Sequence, residues 1–469
     1  MPRLMRSPLS AALLALAAPL LAGCGGTGQD APTTKVAGKS PAKQVDAGTT
    51  AVTQDPVPAS GIVPNQQVAV VKEEIKGGEA TGGPTPFDYL WQPTQGEPTD
   101  EVVEVEVPAG LPSLTTGVNV PAHNPITKAK LELGKQLYYD QRISKNSTVS
   151  CATCHNPDKG WTDHMPTSAG IGGQFGGRNS PTVLNTVYGK SMFWDGRSPS
   201  LEGQAQGPIQ NKIEMGDQTY KEIVTRLRAI PGYQAQFKKV FGTEVTLDGM
   251  AKAIATFERT ALSGNSAYDK YQNGDYKALT EAEKRGMVLF GLQQSPDDDQ
   301  KVAATLKKAQ CTSCHVGSNF TDEQFHNIGV GYDEKAKQFA DLGRWAISPI
   351  GAKFQSELGS FKTPTIRDIV NTYPYMHNGA EKTLEEVVEY YNRGGNANPT
   401  LDKDMKKLDL TALEKADIVA FMKALTGQQV KVALPTLPPG ADGKSPDPAL
   451  ALSPPSKAAA MNVHGAIAR

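Results

Sequence analysis

At 469 residues the chain has room for two or three domains of ~150 residues each, and it carries 38% apolar and 21% charged residues. With 48 basic residues against 49 acidic ones, the formal net charge is −1, which indicates neither a nucleic-acid-binding basic surface nor a solvating acidic tail. A mean hydropathy of −0.39, with one long apolar run at the N-terminus, excludes a polytopic membrane protein, and 46 Gly with 34 Pro predict linker segments.

In chain order, the first feature is a targeting segment. Arg3 and Arg6 precede an apolar stretch, Ala11 to Leu21, of signal-peptide length. It ends in Leu21-Ala22-Gly23-Cys24, which resembles the lipobox of bacterial lipoproteins. Residues 1–23 would then be the signal peptide, and Cys24 the lipidated first residue. Gly25 stands where an Asp usually marks inner-membrane retention, which favours an outer-membrane anchor facing the periplasm. The plainer alternative is an ordinary secretory signal with a stray cysteine. Residues 24–115 are rich in Pro, Gly, Thr, Ala and Gln and read as a low-complexity, disordered tether. Within it, only Glu101 to Val107 shows period-two character.

From about Ile126 helical patterns take over. Capping boxes stand at Thr280 with Glu283, Thr383 with Glu386 and Thr411 with Glu414. Leu247, Met250, Ala251, Ile254 and Phe257 share one helical face; Ile418, Phe421, Met422 and Leu425 share another, with Gly427 as its expected stop. Strand signals are few and short. Gly134-Lys-Gln-Leu-Tyr138 and Gly286-Met-Val-Leu-Phe290 form a faint repeat, each a helix leading through a loop into a cysteine motif. The expected fold is therefore mainly α, with two related helical domains resembling c-type cytochromes and holding one haem each. They span 116–270 and 271–435, followed by a Pro/Ala-rich tail, 436–469.

Five cysteines account for themselves. Cys24 belongs to the export signal; the rest form Cys151-Ala-Thr-Cys154-His155 and Cys311-Thr-Ser-Cys314-His315. On one helical turn, two thiols three residues apart reach two porphyrin vinyl groups, and the adjacent His faces the iron. A lone CxxC is as readily redox-active or zinc-binding. Two CxxCH copies in an exported chain predict two covalent c-type haems, with His155 and His315 as iron ligands. Of the other histidines, His123 and His464 lie in Pro- or Ala-rich flanks and are expected in solvent. His164, His326 and His377 are expected to be hydrogen-bonded core residues rather than ligands.

Residues 126–439 resemble the bacterial dihaem cytochrome c peroxidases and their relative, the methylamine-utilisation dihaem enzyme MauG. The likeness rests on Leu131-Glu-Leu-Gly134, both CxxCH sites, Gly177-Arg-Asn-Ser-Pro-Thr182, Phe193-Trp-Asp-Gly-Arg197, Gly207-Pro208 with Glu214-Met215, Phe320-Thr-Asp322, Pro364-Thr365 and Tyr373-Pro-Tyr-Met-His-Asn-Gly379. It implies that haem one, on Cys151, Cys154 and His155, is the peroxidatic haem. Glu214 matches the distal carboxylate that shifts a proton between the peroxide oxygens, and Gln204 matches a distal amide. Trp194 matches the tryptophan lying between the haems, the electron route. Asn179, with the carbonyls of Thr372 and Pro374, matches a calcium site, and His377 matches a histidine near that interface. The corresponding bland readings are a loop acid for Glu214, core packing for Trp194 and turn chemistry for Asn179.

Two positions depart from the peroxidase pattern. Thr167-Ser-Ala-Gly-Ile171-Gly172 has isoleucine where many dihaem peroxidases carry the histidine that caps haem one, so that iron is expected to be open; His164 is the nearest substitute. Tyr391 stands where the peroxidases place the distal methionine of haem two, as in MauG, and Met376 is its rival. Leu384, Val387, Val388 and Tyr391 make one inward stripe, with Tyr390 expected to be more exposed. The resulting expectation is an enzyme, a peroxidase reducing hydrogen peroxide with electrons from a small periplasmic c-type cytochrome or cupredoxin. The alternatives are MauG-like oxidation of a partner protein through a high-valent dihaem state, and, from another class, a non-catalytic electron-transfer or redox-sensing cytochrome. The membrane is met only through the N-terminal lipid, and a homodimer is left open.

Overall fold

The computed structural model describes residues 87–93, 100–293, 308–349, 354–453 and 455. The signal segment, Cys24, most of the tether and His464 lie outside the described residues. Ten α-helices fall within them: α1 (Lys128–Tyr139), α2 (Cys151–Cys154), α3 (Leu201–Gln210), α4 (Tyr220–Arg228), α5 (Pro231–Phe241), α6 (Leu247–Glu258), α7 (Ala267–Gln272), α8 (Glu281–Phe290), α9 (Leu384–Asn392) and α10 (Ala412–Ala424). Among the described residues, strand is confined to two-residue antiparallel pairs: Ser263–Gly264 with Gln428–Gln429, Phe325–His326 with Phe361–Lys362, and Tyr332–Asp333 with Gln338–Phe339. None of the described helices is long and apolar enough to cross a membrane. The three capping boxes form as expected, each Thr hydroxyl accepting the Glu backbone N–H while the Glu side chain returns to the Thr N–H.

The faint repeat has a clear physical basis. Gly134 lets α1 cross α6 in contact: a Cβ there would meet the Ala253 carbonyl oxygen at 1.9 Å and the Phe257 Cβ at 3.1 Å. Gly286 does the same for α8 against α10, where a Cβ would meet the Asp417 carbonyl oxygen at 1.9 Å and the Phe421 Cβ at 2.9 Å. Four residues on from each glycine stands an aromatic ring. Tyr138 packs on Phe257 at 5.0 Å between centroids, and Phe290 on Phe421 at 5.3 Å. The predicted apolar faces of α6 and α10 supply the other side of these cores, with Met250, Ile254, Ile418, Phe421 and Leu425 all at most 2% exposed.

Three local expectations differ from what is seen. Helix α10 ends at Ala424 with Leu425 as its cap, before Gly427, whose own requirement is space: a Cβ there would lie 2.5 Å from the Gly264 carbonyl oxygen, where the short strands pair. Part of the segment read as tether is packed. The Tyr89 and Leu90 carbonyls accept the first-turn N–H groups of α6, from Leu247 (2.9 Å) and Asp248 (3.1 Å). Asp100 caps α1 from outside, accepting the N–H groups of Ala129 and Lys130. Val103, Val105 and Val107 bury the inward half of the period-two stretch. The described part of the tail packs as well. Pro438 accepts a bond from Arg142 Nη2 at 2.9 Å, and Ala451 is fully buried in the first core beside α1. Proline-rich chain has no periodicity to betray such docking, because its contacts need no ladder.

Gly134→Ala and Gly286→Ala should each destabilise the haem-loaded protein by ~1–3 kcal/mol or more in chemical denaturation, because a backbone carbonyl has no room to yield. Gly176→Ala, with nothing within 4 Å of the added carbon, should stay within ~0.5 kcal/mol.

Candidate active site

Both CxxCH motifs begin on a tight turn and end in a histidine with one ring nitrogen tied back. His155 Nδ1 faces the Trp161 carbonyl oxygen at 3.4 Å, and His315 Nδ1 faces that of Phe320 at 3.0 Å. Trp161 and Phe320 both hold left-handed backbone, φ 61° and 51°, rare for large side chains. Their rings are fixed in the two aromatic cores, Trp161 against Tyr138 and Phe257, Phe320 against Phe290. A carbonyl acceptor at Nδ1 makes that nitrogen the protonated one and leaves the Nε2 lone pair free for a metal. Burial pushes both imidazole pKa values down, which favours the neutral ligand form. The Tyr138 hydroxyl further pins the His155 carbonyl at 2.8 Å.

The thiols discriminate between chemistries. None of the four is in a disulfide. Burial pushes Cys154 and Cys311 up to about 12 and raises Cys151 well above its usual value. Redox-active or zinc-binding pairs need the opposite shift, whereas buried neutral thiols beside a neutral imidazole suit thioether attachment of a porphyrin. Next to Cys311, Cys314 and His315 lies a cavity of about 460 Å³, whose walls include Tyr391, Met376 and Trp194. The donor set and the largely apolar space fit a c-type haem.

Tyr391 lines this cavity, and burial raises its phenol pKa. Met376 shares the same walls. Tyr390 is the more buried of the tyrosine pair, at 3% exposure, contrary to the helical-stripe reading. Its hydroxyl donates to the Ile328 carbonyl at 3.0 Å, so a loop covers the side of α9 that periodicity leaves open.

Glu214, the expected distal carboxylate, sits in the loop after α3. Burial raises its pKa, with Arg197 partly opposing. Asn211 Nδ2 donates to its Oε1 at 2.7 Å. Gln204 stands half-buried on α3, and no hydrogen bond joins it to Glu214. The Ile171 N–H donates to the Glu214 carbonyl at 3.0 Å, and the Ile171 side chain packs against Gly216. His164 turns towards the second half: its ring stacks on Tyr373 at 4.1 Å and its Nε2 lies 3.0 Å from the Asn371 carbonyl oxygen. His123 is exposed. His326 lies between Asp402 (2.6 Å) and Asp322 (2.9 Å). Cys314, Asp322 and His326 also come within ligand reach of one another, a grouping that thioether formation at Cys314 would dissolve.

Trp194 bridges the halves. Its indole N–H donates to the Asn179 carbonyl at 2.9 Å, and its own carbonyl accepts from the Lys362 N–H at 2.8 Å. Next in sequence, Asp195 accepts from Arg178 at 2.6 Å and from Arg197 at 3.0 Å, while Arg178 forks onto Asp341 at 2.6 and 2.8 Å. Asn179 donates its N–H to the His377 carbonyl at 2.7 Å and its side-chain amide to the Met165 carbonyl at 2.8 Å. Thr372 and Pro374 lie on the cavity walls with it. His377 stacks on Phe361 at 3.6 Å, and burial brings its pKa down to about 4 although Asp341 opposes. Sequence reading had no periodic signal for the Arg178–Asp195–Asp341 fork or for Asn211; the latter is announced only by Asn standing two and three residues before the N–H groups it accepts.

The sequence pattern of the di-haem cytochrome c peroxidases matches residues 128–277. The chain is 38% identical over 320 residues to the methylamine utilization protein MauG of Methylorubrum extorquens, covering 68% of this chain and 84% of that protein. It is 38% identical over 321 residues to the cytochrome c551 peroxidase of Nitrosomonas europaea, covering 68% and 86%. Among solved structures, it resembles a MauG-like protein associated with microbial copper homeostasis, with a TM-score of 0.60, 32% identity, and coverage of 68% of this chain and 95% of that one. With its two haem-attachment motifs and relatives of this similarity along most of their length, the chain belongs to the di-haem cytochrome c peroxidase/MauG family, a group of peroxidase-type oxidoreductases carrying two c-type haems.

Proposed function

We propose that this protein reduces hydrogen peroxide to water at haem one, held by Cys151, Cys154 and His155, with electrons entering at haem two, held by Cys311, Cys314 and His315. The observation that carries the reading is Glu214: a half-buried loop carboxyl near Cys154 of the first attachment motif, its pKa raised by burial and its Oε1 held by Asn211. The haem supplies the iron that binds peroxide and the redox equivalents; the remaining work falls to side chains. Glu214 would serve as the acid–base group, taking a proton from one peroxide oxygen and delivering it to the other. Gln204 orients the bound oxygen. Trp194, held from both halves, sits between the two centres as the electron route. Asn179, through its free side-chain oxygen, and the Thr372 and Pro374 carbonyls would hold a calcium ion that fixes this junction; three neutral oxygens suit such a hard cation. Two haem domains, 116–270 and 271–435, and an exported, lipid-anchored periplasmic form with a small cytochrome or cupredoxin donor complete the reading.

Glu214→Gln keeps size and removes the titratable group, so peroxide turnover should fall ~10²–10⁴-fold at normal haem content in steady-state assays. A loss within about threefold, far below that range, would return Glu214 to an ordinary loop acid.

A second reading rests on Tyr391 in the haem-two cavity. A phenolate ligand favours oxidised iron, whereas a thioether raises the potential. A tyrosine-ligated haem two would store an oxidising equivalent for a protein substrate, as the resemblance to the methylamine-utilisation enzyme implies. Tyr391→Met should raise the haem-two potential in a redox titration, and Tyr390→Phe should leave it unchanged. If Tyr391→Phe alters neither potential nor spectrum, Met376 is the ligand and the plain peroxidase reading stands alone.

A further inference from the structure

The loop that delivers Glu214 is built around one side chain. Asn211 closes α3, and its Oδ1 accepts the backbone N–H groups of Ile213 (2.9 Å) and Glu214 (3.3 Å). Its carbonyl accepts those of Met215 (3.2 Å) and Gly216 (3.0 Å). Because the amide oxygen must face two donors, the amide NH2 must face the other way, and it meets Glu214 Oε1 at 2.7 Å. One residue therefore fixes both the backbone that carries Glu214 and the rotation of its carboxyl.

We propose that Asn211 is the positioning residue of the acid–base machinery: its amide occupies Glu214 Oε1 and leaves Oε2 as the oxygen that exchanges a proton with peroxide. The inference rests on the acid–base reading of Glu214. A donated N–H bond stabilises a carboxylate more than a carboxylic acid, so Asn211 also restrains the upward pull of burial on Glu214. The other charged or titratable groups facing this carboxyl are Arg197, from the Trp194 loop, and Cys154, on α2, whose thiol is taken up by haem attachment. Lys145 lies beside Gly216 but turns its ammonium to the Asp217 carbonyl. The Ile171 N–H holds the Glu214 carbonyl and leaves its carboxyl free. Asn211 is thus the neutral group that decides which carboxyl oxygen is available.

Asn211→Asp separates the two roles. It keeps an oxygen for the Ile213 and Glu214 N–H groups and replaces the amide donor with a second carboxylate oxygen. In the haem-loaded protein, the acid limb of peroxide turnover should move up by about one pH unit or more, with turnover at the lower end of the range reduced about tenfold or more. The infrared band of the protonated Glu214 carboxyl, identified as the band lost in the Asn211→Asp/Glu214→Gln double variant, should titrate with the same upward shift. Asn211→Ser, a turn acceptor too short to reach Glu214, should shift both readouts in the same direction and serves if the Asp variant does not fold. Superimposable pH profiles and an unmoved infrared titration, in a background where Glu214→Gln is inactive, would overturn the inference and leave Asn211 a loop scaffold. An active Glu214→Gln enzyme would instead remove the acid–base reading beneath it.

Discussion

In each half of the molecule, the CxxCH histidine is oriented by backbone carbonyls, chief among them that of a large aromatic residue held in left-handed backbone, Trp161 facing His155 Nδ1 and Phe320 facing His315 Nδ1, with the Pro181 and Pro364 carbonyls beside them. Such backbone costs on the order of 1–3 kcal/mol per residue, and it persists because the Trp161 and Phe320 rings are locked into cores with no slack. Those cores exist because a glycine lets two helices touch, α1 on α6 and α8 on α10. The chain of cause runs from an absent Cβ, to a helix crossing, to a packed ring, to a fixed carbonyl, to a neutral imidazole with its ligand nitrogen free. The construction occurs twice, which is why two attachment motifs with different loops present the same chemistry.

At Trp194 charged hydrogen bonds tie the two halves together. Arg178 is the fork, bonded to Asp195 on one side and Asp341 on the other, with its guanidinium 5.4 Å from the Phe361 ring centre. Bidentate, charge-assisted bonds are directional, so they hold the loop carrying Trp194 at a set place against the second half. Removal of one partner from such a partly buried network leaves the others uncompensated. Rigidity at this junction suits the electron route proposed for Trp194.

Much of this was legible from sequence because the relevant signals are local. CxxCH, the capping boxes, the faces of α6 and α10, and the inward row of α9 each follow from spacing along the chain. What escaped depends on contacts distant in sequence. The helix containing Tyr390 and Tyr391 shows its periodicity, but not that the Ile328 loop would cover Tyr390. Tyr89, Leu90 and Asp100 sit in chain that looks like linker, yet they satisfy helix N–H groups more than 25 residues away in sequence. The Pro/Ala-rich arm through Ala451 returns to the first core with no pattern to announce it. Asn211 was readable in principle, since an Asn two residues before an N–H it accepts is a familiar turn; its second bond, to the carboxyl, needed the folded loop.

The central functional claim is that haem one presents an open face to peroxide. Ile171 offers no ligand atom. Among the other described histidines outside the attachment motifs, His123 is exposed, His164 is engaged with Asn371 and Tyr373, His326 with two aspartates, and His377 is stacked on Phe361. The most direct measurement is an electron paramagnetic resonance and optical spectrum of the fully oxidised protein before and after stoichiometric peroxide, with no reductant present. A high-spin signal from haem one that changes at once on adding peroxide is the predicted result. Two low-spin haems, inert to peroxide until one is reduced, would contradict it.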